Sequence, residues 1–263
     1  MRLPGPVSGL ALVTGASSGI GRALAIRLAT AGWTVVACAL PDPALDDLAT
    51  AAPDGRIRAL AFDVRDPAAV GRAVAQLEAE VGPIALAILN AGAYRPVSAD
   101  SFDTTVFRTL IELNVMGVVN CLAALLPVMR SRKIGQIAIT GSLAGYRGSA
   151  GTSAYGMTKA GLINMAESLA PELAEEGICL QIVNPGHVAT PLTASHIGPV
   201  PRMISSEAAA EAYYRGLLGG RFEIAFPWRQ VWRLKVRRLL PYFIAMSGRR
   251  GRRRRRMRAG SSG

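Results

Sequence analysis

L-A-L-V-T-G-A-S-S-G-I-G-R-A-L-A-I-R-L-A-T-A, residues 10–31, is the stretch whose reading decides the fold. Leu10–Val13 is an apolar run of strand length, and Arg22–Ala31 carries the periodicity of a helix. The turn Thr14–Gly21, T-G-A-S-S-G-I-G, joins them, so strand, glycine loop and helix follow in the order of a dinucleotide-binding unit. Gly15 permits the tight turn, Gly19 lets backbone approach a pyrophosphate, and Gly21 lets the helix pack closely. The amides at the helix N-terminus then face the phosphates. Thr14, Gly15, Ser17, Ser18, Gly19, Ile20 and Gly21 are the candidate residues for that cradle.

Outward from this stretch, strand-like apolar runs recur at Thr34–Ala39, Arg58–Ala61, Ala85–Leu89, Gln136–Thr140 and Cys179–Val183, each separated by a helix-length segment. That alternation predicts an α/β fold, a single doubly wound Rossmann-type domain with a mostly parallel sheet flanked by helices. A chain of 263 residues with 50% hydrophobic content can bury one substantial core. Cys38, Cys121 and Cys179 sit in apolar surroundings and read as small core residues; with His187 and His196 the only histidines, a metal site is not expected. The start M-R-L-P-G-P lacks the apolar core of a signal peptide, and the expectation is a cytoplasmic protein.

A second stretch carries chemistry. In S-A-Y-G-M-T-K-A-G-L, Tyr155 and Lys159 stand four apart on a helical segment, so one turn puts phenol and ammonium on the same face. A phenol is a poor acid at neutral pH, and a fixed positive charge beside it favours the phenolate. Upstream, Ser142 follows the apolar run Ile134–Thr140 and the turn-forming Gly141, where a hydroxyl projects from a strand's carboxyl end.

These residues together resemble the short-chain dehydrogenase/reductase family over about Leu10–Thr193. The glycine pattern is complete at Thr14, Gly15, Gly19 and Gly21. Asp63-Val64, Asn90-Ala91-Gly92, Asn114, Ser142, Tyr155, Lys159 and Asn184-Pro185-Gly186 with Thr190 follow in family order. The resemblance implies a seventh strand near Arg221–Ala225. It implies Tyr155 as general acid/base, Ser142 as hydrogen-bond donor to the substrate oxygen, and Lys159 lowering the Tyr155 pKa and contacting the nicotinamide ribose. Asn114 would hold a water linking Lys159 to solvent. A turn-capping Ser142 and an Asn114 that satisfies buried backbone are the plain alternatives. The cofactor set then gains Leu40, Asp63, Val64, Asn90, Ala91, Gly92, Pro185, Gly186, Val188 and Thr190. Position in the family points to Tyr94, Leu143, Tyr146 and His187 at the substrate, an apolar alcohol or carbonyl compound. Pro191–Ala212 is the expected lid. Pairing through Val106–Arg130 and Ser153–Glu176 implies a homodimer or homotetramer.

Cofactor choice turns on V-V-A-C-A-L-P-D, residues 35–42. An acidic residue at the end of the second strand marks NAD enzymes, and Arg nearby marks NADP enzymes. Ala39 and Leu40 show neither. Absence of the acid favours NADP(H) over NAD(H), with Arg22 in reach of a 2′-phosphate and Asp42 as the competing partner for a ribose.

Charge is concentrated at the end. Residues 1–220 hold 16 Lys/Arg and 17 Asp/Glu, and residues 221–263 hold 14 and 1, so the extension 226–263 accounts for the net +12. A helix over Trp228–Leu240 puts Trp228, Val231, Trp232, Val236, Leu239 and Leu240 on one face, with Arg229, Arg233, Arg237 and Arg238 on much of the rest and Lys235 intruding. With the Arg249–Arg258 cluster, this reads as a membrane-surface helix; packing on the body or a subunit boundary, and nonspecific nucleic-acid binding, are the alternatives. No apolar run reaches the roughly 20 residues of a bilayer span. G-S-S-G at 260–263 reads as natural sequence or an expression remnant. The expected activity is NAD(P)(H)-dependent interconversion of an alcohol and a carbonyl. A sugar or polyol dehydrogenase of the same fold and a cofactor-binding regulatory or nucleic-acid-associated protein are the rivals.

Overall fold

The apolar runs become strands because helices cover both faces of the sheet they form. The computed structural model describes residues 3–50, 55–194 and 203–244. Its first half runs β1 (Leu10–Thr14), α1 (Gly19–Thr30), β2 (Thr34–Ala39), α2 (Pro43–Thr50), β3 (Ile57–Ala61), α3 (Pro67–Glu80) and β4 (Ile84–Leu89). Then come α4 (Thr104–Ile111), α5 (Gly117–Arg132), β5 (Gly135–Thr140), α6 (Ser153–Glu175) and β6 (Ile178–Pro185). α7 (Pro191–Ala194), α8 (Ser206–Leu218), β7 (Glu223–Phe226) and α9 (Trp228–Leu239) complete the described chain.

The sheet order is β3-β2-β1-β4-β5-β6-β7, with every pairing parallel. The expected "mostly parallel" sheet is therefore wholly parallel among the described strands, because a helix-bearing crossover precedes each new strand. Successive residues alternate faces. Leu10 and Leu12 pack with Val70, Val74, Leu122 and Leu162 of α3, α5 and α6; Ala11 and Val13 pack with Leu24, Leu28 and Tyr213 of α1 and α8. Strand order reverses between β1 and β4, and the crevice outside their carboxyl ends is where such a fold binds a ligand.

The long helix expected at Val106–Arg130 is α4 and α5 joined by a π-turn, Glu112–Met116, with Asn114 fully buried at its centre. This 29-residue segment, Thr104–Arg132, is long and apolar enough to cross a membrane, contrary to the expectation that no run reaches such a length. Its apolar character has a local use: Val118, Cys121, Leu122, Leu125 and Met129 are buried against the sheet. The expected lid range Pro191–Ala212 is partly helical. Ala209 and Ala210 belong to α8, fully packed beside Tyr213 against α1, and His196, Gly198, Pro199 and Pro201 lie outside the described residues.

α9 rests on the body by part of its apolar face and by Leu234 beside it. Val231 and Leu234 pack on the core, and Lys235 pairs with the Glu223 carboxylate. Trp228 is 70% exposed, Trp232 64% and Leu239 84%. The Arg249–Arg258 cluster and residues 260–263 lie outside the described residues.

Candidate active site

Close backbone approach builds the glycine loop. Gly15 has φ +64°, and a Cβ there would meet Ala91 Cα at 2.8 Å. A Cβ on Gly21 would stand 2.1 Å from the Gly15 carbonyl oxygen. Asn90 ties the same corner: its Nδ2 donates to the Thr14 and Gly15 carbonyls, both at 3.2 Å, while the Asn90 and Ala91 amides donate to Thr14 Oγ1 at 2.9 and 3.1 Å. Thr14, Gly21 and Ala91 thus shape the cleft from behind, whereas Gly15, Ser17, Ser18, Gly19, Ile20, Asn90, Gly92, Pro185, Gly186, Val188 and Thr190 line it. The cleft encloses about 230 Å³ and ends at Ser142, Tyr155 and Lys159. Its glycines leave space that side chains would fill: a Cβ on Gly92 would lie 3.1 Å from Asn114 Oδ1 and 3.6 Å from Lys159 Nζ. A dinucleotide fits this cradle of helix N-terminus and bare backbone.

Leu40, Asp63 and Val64 do not line the enclosed cleft. They sit beyond the carboxyl ends of β2 and β3. Leu40 is 53% exposed, Val64 is packed on Gly117, and the Asp63 carboxylate is gripped by Arg65 at 2.6 to 3.0 Å. Hydrogen bonding from Arg65 holds the Asp63 carboxyl below its usual range. Asp42 Oδ1 accepts from the Ala44 amide at 2.9 Å at the start of α2, and Arg22 lines a separate cleft between α1 and α8.

Ser142 is placed by β5 and β6. The Gly141 amide donates to the Val183 carbonyl at 2.7 Å and the Ser142 amide to Asn184 Oδ1 at 3.1 Å. Ser142 Oγ accepts from the Ala144 amide at 3.1 Å, capping the short 3-10 turn Leu143–Gly145. Gly145 lets that turn lie on α6, where a Cβ would come within 2.9 Å of the Lys159 carbonyl. Ser142 therefore serves as a turn cap and stands at the site as well.

Tyr155 lies between Ser142 and Tyr94. The Tyr94 ring meets it edge-on at 5.3 Å and 82°, and Lys159 Nζ is 5.7 Å from its ring centroid. Burial pushes the Tyr155 phenol up to about 12, with the Ser142 hydroxyl hydrogen bond pulling the other way. Burial also brings Lys159 down to about 8; its Nζ donates to the Thr140 carbonyl at 2.7 Å. Burial dominates both shifts: it disfavours the charged form of the phenol and of the ammonium alike.

Asn114 Oδ1 accepts from the Ala93 amide at 2.8 Å, and its Nδ2 donates to the Ala93 carbonyl at 3.0 Å and Thr158 Oγ1 at 3.1 Å. Both amide hydrogens have protein partners. The side chain thus clamps the loop after β4 to α6.

A second cavity, of about 300 Å³, adjoins the cleft and is lined by Tyr94, Leu143 and His187 among others. Tyr146 is not there. Its hydroxyl donates to the Glu223 carboxylate and accepts from Asn184 Nδ2 at 3.5 Å, so its ring lines another cleft, with Lys235 and Arg238. A half-buried carboxylate captured the phenol. Residues missed from sequence include Arg147, Ser149, Thr152, Leu192 and Thr193, and Gln230, Leu234 and Arg237 from α9. Arg147 was within reach of sequence reading, five residues past Ser142. The α9 residues gave no local signal: Gln230 arrives through its Oε1, which accepts from the His187 amide at 3.1 Å over the bare Gly186.

Among the described residues no three His, Cys, Asp or Glu side chains group as metal ligands, and burial pushes the Cys121 thiol up to about 12.

The family profile for short chain dehydrogenases matches residues 9–197. An uncharacterized oxidoreductase of Myxococcus xanthus is 37% identical over 234 residues, covering 88% of this chain and 92% of its own. The 3-oxoacyl-acyl-carrier-protein reductase FabG of Escherichia coli is 34% identical over 219 residues, 82% of this chain and 86% of its own. A solved short-chain dehydrogenase from Sphingobium yanoikuyae, in complex with NADPH, superposes with a TM-score of 0.76 at 28% identity, covering 84% of this chain and 88% of its own.

Proposed function

The chain belongs to the short-chain dehydrogenase family and is a nicotinamide-dependent oxidoreductase, and from that premise we propose that it interconverts an apolar carbonyl compound and its alcohol, with NADP(H) favoured over NAD(H). One observation carries the reading: Ser142 and Tyr155 stand in the wall shared by the glycine-loop cleft and the second cavity. A substrate oxygen in that cavity meets both hydroxyls while its carbon faces the cleft.

When bound, the dinucleotide supplies or accepts the hydride. Gly15, Ser17, Ser18, Gly19 and Ile20 would hold its phosphates, and Asn90, Gly92, Lys159, Pro185, Gly186, Val188 and Thr190 its nicotinamide half. Ser142 Oγ orients the substrate oxygen by hydrogen bonding. Tyr155, a phenol and therefore protonated at neutral pH, gives its proton to that oxygen in reduction and takes it back in oxidation. The Lys159 ammonium favours the phenolate that remains. Asn114 positions the loop and helix that frame these groups.

The preference for NADP(H) rests on the absence of an acidic residue at Ala39 and Leu40. Asp42, the competing ribose partner, is engaged with the Ala44 amide; Arg22, turned toward α8, adds no support. Apolar lining by Tyr94, Leu143, Leu192 and Leu234 supports an apolar substrate. Exposed Ile111, Met116 and Met157 on the long helices support a homodimer or homotetramer. The outer face of α9, with Trp228, Trp232 and Leu239 exposed and Tyr242 and Phe243 just beyond, supports peripheral membrane contact.

The test is Tyr155→Phe. Turnover on aliphatic ketones should fall by a factor of about 100 or more, with NADPH and NADH affinities within about twofold of the parent. Undiminished turnover would refute the assigned proton transfer.

A further inference from the structure

The second cavity is apolar along much of its wall but basic where α9 closes it. Arg147 and Arg237 both line it, and no Asp or Glu does. Arg147 is held rigidly: its Nη1 donates to the carbonyl of Arg237 and, at 3.4 Å, to that of Leu240. Its Cζ also stands 5.1 Å from the Tyr242 ring centroid. Its Nη2 is buried without a hydrogen-bond partner, and no other buried side-chain nitrogen or oxygen among the described residues is in that position.

A guanidinium stays charged at any working pH, and a buried donor left unpaired costs free energy that an acceptor would recover. The two carbonyls that Nη1 meets carry only partial negative charge. Among the described residues, no carboxylate lines this wall or forms an ion pair with Arg147 or Arg237.

We propose that the substrate is an amphiphilic acid, in which an apolar chain bearing the reacting carbonyl or alcohol ends in a carboxylate bound by Arg147. This rests on the oxidoreductase reading of the same cavity and narrows its substrate class. The apolar lining holds the chain, Ser142 and Tyr155 hold the reacting oxygen, and Arg147 fixes the far end. Two anchors on one molecule also fix which carbon faces the cleft.

The experiment uses octanoate and its neutral isostere octanamide, titrated calorimetrically at pH 7 into the full chain with NADPH present. Octanoate should bind about tenfold more tightly or better, the discrimination expected of a charge-assisted hydrogen bond. The preference should fall to about twofold or less in Arg147→Gln and survive in part in Arg147→Lys. Octanamide affinity reports whether α9 still closes the cavity. A variant that lost only its packing would weaken both ligands alike and overturn the proposal. Equal affinity for the two ligands in the parent protein, or no octanoate binding, overturns it without any variant. Binding needs no hydride transfer, so an acid preference in a protein inert to every carbonyl would sink the oxidoreductase reading, while turnover of neutral ketones without acid preference would sink this one.

Discussion

Replacing Gly21 by Ala puts a methyl group 2.1 Å from the Gly15 carbonyl oxygen and 2.7 Å from Asn90 Nδ2. Ordinary contact between such atoms lies near 3.5 Å, so the glycine loop must retreat by about 1 Å or more. It cannot do so alone, because Asn90 binds both the Thr14 and Gly15 carbonyls. Overpacking of this kind costs about 1–3 kcal/mol. In a chain of this length, that corresponds to a fall in Tm of roughly 2–12 °C. A 1 Å displacement of a positioning group costs on the order of 100-fold in rate. Gly71→Ala is the matched control, since a Cβ at Gly71, inside α3, meets nothing within 4 Å. It should raise stability by up to about 1 kcal/mol through helix propensity and leave function unchanged. The assays are thermal unfolding without cofactor and fluorescence titration with NADPH and NADH. A Gly21→Ala protein that keeps both its Tm and its dinucleotide affinity would refute the account of why this loop lies where it does.

Lys159→Met should abolish turnover yet stabilise the cofactor-free protein at pH 7. Burial lowers the Lys159 pKa to about 8 from 10.5. Folding therefore works against the charged lysine below pH 8, by roughly 3 kcal/mol, and the penalty is relieved as pH rises from about 8 to 10.5, where the folded state has lost a proton that the unfolded state keeps. Loss of the hydrogen bond to the Thr140 carbonyl offsets about 1 kcal/mol of the gain. Urea unfolding across that pH range should show the variant's advantage shrinking, and a variant less stable than the parent at pH 7 would contradict the burial argument. For the membrane contact, the full chain should sediment with vesicles containing phosphatidylserine, and the double variant Trp228→Ser, Trp232→Ser should do so at least about tenfold more weakly. A full chain that stays in the supernatant at low salt would remove that proposal.

The sequence by itself determined the sheet, the glycine loop and the group Ser142, Tyr155 and Lys159, because local chemistry specifies each of them. Apolar runs of strand length need two covered faces, a left-handed turn at Gly15 needs a glycine, and a spacing of four residues on a helix sets two side chains on one face. Local pattern also located α9, but not which of its residues meet the body. Six apolar positions at helical spacing read as one face, and packing divided them: Glu223 on β7 and the core beneath Val231 and Leu234 hold one side of the helix, and Trp228 and Trp232 point away from the body.

Tertiary structure alone decided the other assignments. Tyr146 left the substrate cavity because a carboxylate 77 residues further on took its hydroxyl. Asn114 spent both amide hydrogens on Ala93 and Thr158, a pairing that needs the β4 loop and α6 side by side. Desolvation, which pushes the Tyr155 phenol up and the Lys159 ammonium down, is a property of the packed molecule and not of residue spacing. Gln230, Leu234 and Arg237 became cavity walls only when α9 folded back over Gly186. Contacts between residues so far apart in the chain leave no periodicity for a sequence to display, and they exist only once the core has brought β6, β7 and α9 together.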